Sequence, residues 1–425
     1  MIKIVKDIPQ KREEIFAATM KTPDVSGVVR EILEQVRTEG DAALVALTKK
    51  FDKAELSSLR VTEAEIDEAV GQVSVEFLEI LQKAARNIRE FHRLQKREGF
   101  ALKRENGVIV GQKITAIERA GIYVPGGTAA YPSTVLMDSI PALVAGCERV
   151  VMVTPPNAEG KVNPVILAAA RVAGVTEIYK VGGAQAIAAL AYGTESVPKV
   201  DKIVGPGNAF VAEAKRQVFG KVSIDMIAGP SEILVIADAT NRAKDIAADL
   251  LSQAEHDKMA SAVLVTDSES FALAVSEELE RQIPALQRAE IARASIDTNG
   301  KIIVTDSITE AVEIANGIAP EHLEICVDNP FDYLDKVKHA GSVFLGKYCP
   351  EAMGDYYAGA NHTLPTSGTA RFSSPLSVDD FIKKTQYVYY EKASLAEVAR
   401  EVEYFAKQEG LTAHARSAVI RFEEE

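Results

Sequence analysis

The sequence predicts an α/β protein: two α/β units, preceded by helices and followed by a small helical tail. Three observations carry this reading. Short β-branched runs alternate with alanine-rich, helix-compatible segments through two long stretches of chain. Apolar residues near both ends recur with the helical period instead. The 425 residues also exceed the ~250–300 at which single cores stop growing.

From Asp24 to about Gly99, Val28, Ile32 and Val36, then Phe77, Leu81, Ala84 and Ile88, line helical faces. The TEGD segment at 38–41 breaks the run, and Thr62 with Glu65 predicts a capping box before Ile66 and Val70. Between Gly107 and Ala237 the strand-like runs are VIV, AGIYV, RVVMV, EIYKV, DKIV and EILVIA. PVILAAARVAG and AQAIAALAYG are helices able to pack closely on a parallel sheet. A second alternation follows with AVLVT, FALAVSEELERQI, KIIVT, AVEIANGI, HLEICV and GSVFLG. From about Pro375 the chain reads as helical. Ser394 and Glu397 form a second expected capping box, Leu395, Val398, Val402 and Phe405 one stripe, and Gly410 the C-terminal stop. The aperiodic stretch 346–375 between them is too long for a structureless connection, so it is a place to look for chemistry.

Composition narrows the class of function. Lys plus Arg number 48 and Asp plus Glu 61, a net charge of −13 that repels a phosphate backbone, so no nucleic acid partner is expected. No apolar run approaches the ~18–20 residues of a membrane span, and the charged N-terminus lacks the apolar core of a signal peptide. Cys147, Cys326 and Cys349 are too few and scattered for a disulfide framework or a thiolate zinc site, which points to the cytoplasm.

Candidate chemistry lies in four places. Ile246 and Leu250 define a helix face that Gln253 and His256 continue, and an i, i+3 polar pair can aim at one point as metal-binding helices do. The aperiodic stretch supplies Asp355 and His362, and EGLTAHA supplies Glu409 and His414, with Thr412 an expected N-cap. Each taken alone also reads as a turn or capped helix end. Together, His256, His362 and His414 are half of only six histidines, and oxygen and nitrogen ligands without thiolate suit Zn²⁺ or a similar ion. In IAPEHLEI, Glu321 and His322 are adjacent proton acceptors pointing differently, enough for two proton transfers. His92 and His339 read as structural. The glycine clusters YVPGG (123–127), VGGAQ (181–185), GPGN (205–208) and AGPSE (228–232) follow strand-like runs, where an α/β sheet opens its crevice. None is GxGxxG and no GxxxxGK[ST] is present, so nucleotide binding is allowed but not named.

These segments, namely YVPGGTAAYPSTVLM, VGGAQAIAALAYGTESVPKVDKIVGPGN, AGPSEILVIAD, DLLSQAEHD, APEHLEI, GDYYAGANHTLPTSG and EGLTAHA, resemble the histidinol dehydrogenase family over nearly the whole chain. The resemblance implies two Rossmann-like α/β domains of aldehyde-dehydrogenase-like type. Residues 1–20 would be an N-terminal arm and 21–122 with 233–374 the first domain, carrying zinc and catalytic residues. Residues 123–232 would be the second domain, on the dinucleotide side, and 375–425 a helical dimerisation domain. It implies one Zn²⁺ per subunit on Gln253, His256, Asp355 and His414, and NAD at Tyr123, Gln185 and Asn208. The substrate L-histidinol would meet Ser231, Gln253, His256, His322, Asp355, His362, Glu409 and His414. Glu321 and His322 would be the acid/base pair of a four-electron oxidation, through L-histidinaldehyde to L-histidine, that ends histidine biosynthesis. It also implies a homodimer in which the partner contributes His414 and Glu409. Two other classes share the metal set: a zinc-dependent hydrolase on a small cationic substrate, and a non-catalytic metal-binding scaffold, which would have no use for Glu321 and His322.

Overall fold

The computed structural model describes residues 2–7, 12, 24–126 and 130–423. Its strands in chain order begin with β1 (Lys3–Lys6), β2 (Phe100–Lys103), β3 (Ile109–Ala116), β4 (Arg119–Tyr123) and β5 (Arg149–Thr154). There follow β6 (Glu177–Lys180), β7 (Lys202–Val204), β8 (Ser223–Ile224), β9 (Glu232–Ala237) and β10 (Ser261–Thr266). The last four are β11 (Lys301–Val304), β12 (His322–Cys326), β13 (Ser342–Leu345) and β14 (Ile382–Tyr389). The chain divides into a large unit, residues 1–95 with 117–381, and a small unit, residues 96–116 with 382–425.

The large unit holds two parallel sheets. The first has strand order β6-β5-β4-β7-β8 and the second β1-β11-β10-β9-β12-β13. Both are buried on both faces, so their strands read as near-continuous apolar runs. In the five-stranded sheet, Ile122, Met152, Ile178 and Val204 face one core cluster, and Tyr123, Val151, Val153, Tyr179 and Ile203 the other. In the six-stranded sheet, Ile233, Val235, Ala262 and Leu264 face one side, and Leu234, Ile236, Val263 and Leu323 the other.

The alternation of strands and helices, the two sheets and the flanking helices agree with the expected α/β class. The predicted capping box at Thr62 forms, with Glu65 N–H donating to Thr62 Oγ1 and Thr62 N–H to Glu65 Oε2. The N-terminal helices fall differently from the expected grouping of 21–122 with 233–374. The helix Ser26–Glu39 packs on Gly183–Tyr192, Glu63–Gln72 on Pro164–Ala173, and Val75–Arg93 on Pro132–Ala145. Their apolar faces are shared with the five-stranded sheet, which also takes β4, because Val29, Leu33 and Val36 join the cluster of Ile187 and Ile203. Of the expected arm at 1–20, Lys3–Lys6 forms β1 beside β11, and most of the remainder lies outside the described residues.

The small unit corrects the expectation of a purely helical tail. Strand β14 pairs antiparallel along its whole length with β3, which also pairs with β2, and the helices Lys392–Gln408 and Thr412–Val419 follow. All of β14 except its first residue is exposed, so no in/out alternation marked it in the sequence. Ser394 is not a cap. The helix starts at Lys392 after Glu391, Ser394 Oγ–H donates to Asn106 O, and Glu397 accepts from Asn106 Nδ2. Thr412 is the first helical residue and Leu411 the cap position. Gly410, at φ +74°, ends the preceding helix as expected.

Candidate active site

Two groups of predicted residues lie at opposite kinds of sheet edge. Tyr123, Gln185 and Asn208 cluster at the C-terminal ends of strands in the five-stranded sheet. The chain runs outward β4, β5, β6 and then crosses to β7 on the far side of β4, so a crevice opens between β4 and β7. Tyr123 ends β4, and its hydroxyl accepts from Gly183 N–H at 3.1 Å. Gln185 is buried in the helix that begins at Gly183. Asn208 caps the helix Ala209–Val218, Oδ1 accepting from Phe210 and Val211 N–H at 3.1 and 3.2 Å, which leaves its amide nitrogen as the donor not spent on the cap. Gly205 holds φ +120°, where a Cβ would lie 2.1 Å from Tyr123 O, so only glycine fits. The buried pair Lys215–Asp225 clamps this turn: Lys215 Nζ donates to Gly205 O at 2.9 Å and Asp225 Oδ2 accepts from Gly205 N–H at 2.8 Å. Of the YVPGG cluster, Gly127 lies outside the described residues.

The second group lies at the N-terminal edge of the six-stranded sheet. Strand β12 starts at His322 and lies beside β9, which starts at Glu232. His322 Nδ1 is 2.9 Å from Glu232 O. A carbonyl only accepts, so Nδ1 carries the proton and Nε2 holds the lone pair. That Nε2 is buried with no hydrogen-bond partner. Burial lowers the His322 pKa, keeping the ring neutral, and the ring stacks on Phe344 at 6.1 Å between centroids. Glu321 Oε2 accepts from Glu232 N–H at 2.9 Å, and burial raises its pKa well above the ordinary 4.5. One residue, Glu232, thus orients both members of the pair through its main chain. Ser231 precedes it, its carbonyl accepting from Ser261 N–H at 2.9 Å.

Helices run antiparallel to the strands, so the end of Ala243–Ala254 comes to this same edge. Gln253 is 1% exposed, yet neither Oε1 nor Nε2 has a partner. His256 lies one turn on, beyond the helix proper, and its N–H donates to Gln253 O at 3.0 Å, which keeps it near that helical face. Burial lowers the His256 pKa. The aperiodic stretch contains a π-helical turn, Gly354–Ala358, that carries Asp355, and Asp355 Oδ1 lies 3.9 Å from His322 Nε2 and 3.7 Å from His362 Nδ1. Burial pushes the His362 imidazole down to about 4. Asn361, just before it, is fixed by donating to Met137 O at 2.6 Å, and His92 donates from Nδ1 to Gln95, a structural role as expected.

Glu409 and His414 belong to the small unit, where both line a groove with Val402, Phe405 and Leu411. Two residues at the edge of β9 and β12 escaped the sequence reading. Glu232 acts through its backbone, which leaves no side-chain signal. Glu351, 3% exposed, stands four residues before Asp355 in a segment without period, and its Oε1 is 3.8 Å from His322 Nε2. The ligand atoms of His322, Glu351 and Asp355 lie within 4.8 Å of one another.

The family model described as histidinol dehydrogenase matches residues 17–422. The chain belongs to the histidinol dehydrogenase family. Members of that family are NAD-dependent oxidoreductases of histidine biosynthesis, and the chain is an enzyme of that class. The histidinol dehydrogenase of Clostridium acetobutylicum is 53% identical over 427 residues, 99% of each chain. That of Bacillus anthracis is 57% identical over 397 residues, 93% of this chain and 92% of the relative. A crystal structure of histidinol dehydrogenase from Elizabethkingia anophelis, 41% identical, matches with a TM-score of 0.94 over 99% of this chain and 98% of that one.

Proposed function

We propose that this enzyme oxidises L-histidinol through L-histidinaldehyde to L-histidine in the cytoplasm, as a homodimer, with two NAD and one zinc ion per subunit. The observation that carries the reading is His322: a neutral, buried imidazole whose Nδ1–H is committed to a backbone carbonyl and whose Nε2 is free, beside the buried carboxyl of Glu321.

The residues fit a metal. Gln253 is buried with both polar atoms unsatisfied, a cost that a ligand bond removes, and Gln, His, Asp and His form a hard-to-borderline donor set without thiolate. Gln253, His256 and Asp355 would hold it, with His414 from the partner subunit, and substrate would also meet Ser231, His322, His362 and Glu409. When bound, zinc would supply a Lewis acid, with NAD, for which Tyr123, Gln185 and Asn208 would form the site, as the hydride acceptor. In the first half-reaction His322 Nε2 takes the hydroxyl proton as the carbinol C–H bond breaks. In the second, Glu321 takes a proton from the water that adds to the aldehyde, and His322 takes one from the hydrate as the second C–H bond breaks. The sum is alcohol, water and two NAD⁺ to carboxylate, two NADH and three protons. A hydration step needs no thiol, and burial raises the thiol of Cys147 to about 12 and lifts that of Cys326 still further. Among the described residues no helix is long and apolar enough to cross a membrane.

The test is NADH formation from histidinol before and after chelation. Chelation should abolish turnover and added Zn²⁺ or Mn²⁺ restore it. Full activity in metal-free enzyme removes zinc from the mechanism, and absence of NADH with histidinol removes the activity itself, leaving the hydrolase class to be assayed.

A further inference from the structure

Glu351 has no part in the scheme above, yet it is built as though it had one. Its side chain is 3% exposed in relative terms. One carboxylate oxygen, Oε2, lies 3.1 Å from Ser252 Oγ, whose hydroxyl it shares with Asp249 O at 2.7 Å, and the Glu351 backbone N–H donates at 2.7 Å to Glu324 Oε1. Glu324 is itself buried beside Asp249, so the chain behind Glu351 is fixed from below by an inward-facing carboxyl pair. The other oxygen, Oε1, is buried without a hydrogen-bond partner and lies 3.8 Å from His322 Nε2, which is likewise unpartnered. With Nδ1–H spent on Glu232 O, Nε2 is an acceptor too. Two aimed acceptors, with Asp355 Oδ1 3.9 Å from the same Nε2, converge on one point, and neither Oε1 nor Nε2 has a hydrogen-bond partner of its own. Buried acceptors in that condition call for a ligand that brings N–H or O–H groups.

We propose that Glu351 is a substrate-binding residue: its Oε1 receives an N–H from the amino group of a 2-amino alcohol whose hydroxyl is held at His322 Nε2, so that the site selects amino alcohols over simple alcohols. The inference rests on the activity proposed above. The geometry follows from the substrate class. Hydroxyl and amino groups on adjacent carbons close a ring, from Nε2 to O–H, across the two carbons, through N–H to Oε1. With the hydroxyl at hydrogen-bond distance, ~2.7–3.0 Å, from Nε2, the amino nitrogen comes within reach of an atom 3.8 Å away. Bonded at both ends, the carbinol carbon is held in one orientation, with its hydroxyl proton on the base. A carboxylate is the acceptor that gives the stronger, charge-assisted bond to a cationic or polarised amine.

The test is binding to the zinc-loaded enzyme without NAD, measured by calorimetry with L-histidinol and with its deamino analogue, 3-(imidazol-4-yl)propan-1-ol. Wild-type enzyme should prefer histidinol by more than tenfold. Glu351→Gln should weaken histidinol by roughly ten- to a hundredfold, the worth of one charge-assisted hydrogen bond, and change the deamino analogue less than twofold. Zinc content should stay at the wild-type level. An equal loss for both ligands, no loss for either, or loss of zinc in Glu351→Gln each overturns the proposal, the last by making Glu351 a metal ligand. Should Glu351→Gln fail to fold, Glu351→Asp carries the same test, since it keeps the carboxylate but withdraws it from the amino group: a loss confined to histidinol supports the proposal, and an equal effect on both ligands or none overturns it. Histidinol-dependent NADH formation by the wild type is scored separately. Its absence defeats the activity, whereas a normal wild-type rate without a selective loss in the variant defeats only the role of Glu351.

Discussion

His322 and Glu321 are neighbours in sequence with opposite responses to the same burial. Desolvation disfavours the charged form of each, so it keeps the imidazole neutral and ready to accept a proton while it holds the carboxyl protonated to higher pH than an ordinary glutamate. The two half-reactions should therefore differ in pH dependence. Oxidation of histidinol, which needs neutral His322, should be flat through neutral pH. Oxidation of added histidinaldehyde, which needs ionised Glu321, should rise with pH through the elevated carboxyl pKa. Glu321→Gln should flatten that rise and slow aldehyde oxidation by about 10²–10⁴, the usual worth of a general base, while the first NADH still forms in a single-turnover burst. An equal loss in both steps would give Glu321 another role. That these two residues were legible at all owes to their side chains being titratable and adjacent. Glu232, which aims both, contributes a carbonyl and an amide that every residue has, and Glu351 sits where no periodicity distinguishes an inward side chain from an outward one.

Among elements, the turn after β7 shows how far a local rule reaches. GPGN was readable as a strand-end glycine cluster, but the clamp on it is assembled from Lys215 in the next helix and Asp225 after β8, residues joined only by folding. Lys215→Met should cost about 3–5 kcal/mol by leaving Asp225 buried and unpaired, read by chemical denaturation. It should also weaken NAD, since Gly205 O loses its donor. Adding Asp225→Leu should recover stability but not NAD affinity, and recovery of both would show the turn to be held by other means. The same contrast explains which elements were legible. The buried parallel strands announce themselves by apolar runs, and Gln253 and His256 by continuing a 3.6-residue period. Strand β14 presents exposed residues throughout after Ile382, and Ser394 mimics a cap while serving a contact to Asn106 that only the antiparallel sheet creates.

At the scale of the molecule, Gln253, His256 and Asp355 of the proposed ligand set belong to the large unit and His414 to the small one. The groove around His414 and Glu409 exposes Val402, Phe405 and Leu411, an apolar face that the proposed homodimer would cover. Mixing two inactive variants tests this. Under subunit exchange, His256→Ala and His414→Ala should together regain activity, because a heterodimer then has one doubly damaged and one intact site. A mixture that stays inactive places His414 in its own subunit's site.

The location of His322 at the start of β12, with Ser231 just before β9 and Gln253 at the end of the helix Ala243–Ala254, has a consequence for engineering. In most open α/β sheets the loops after the strands carry the chemistry and tolerate no intrusion. Here the loops after β9, β10 and β12 are separated from the acid/base pair by the length of the strands themselves, roughly 3.3 Å per residue over five or six residues. A reporter peptide spliced into the turn after Thr266 should therefore leave turnover near normal, whereas the same splice beside Pro320 should extinguish it.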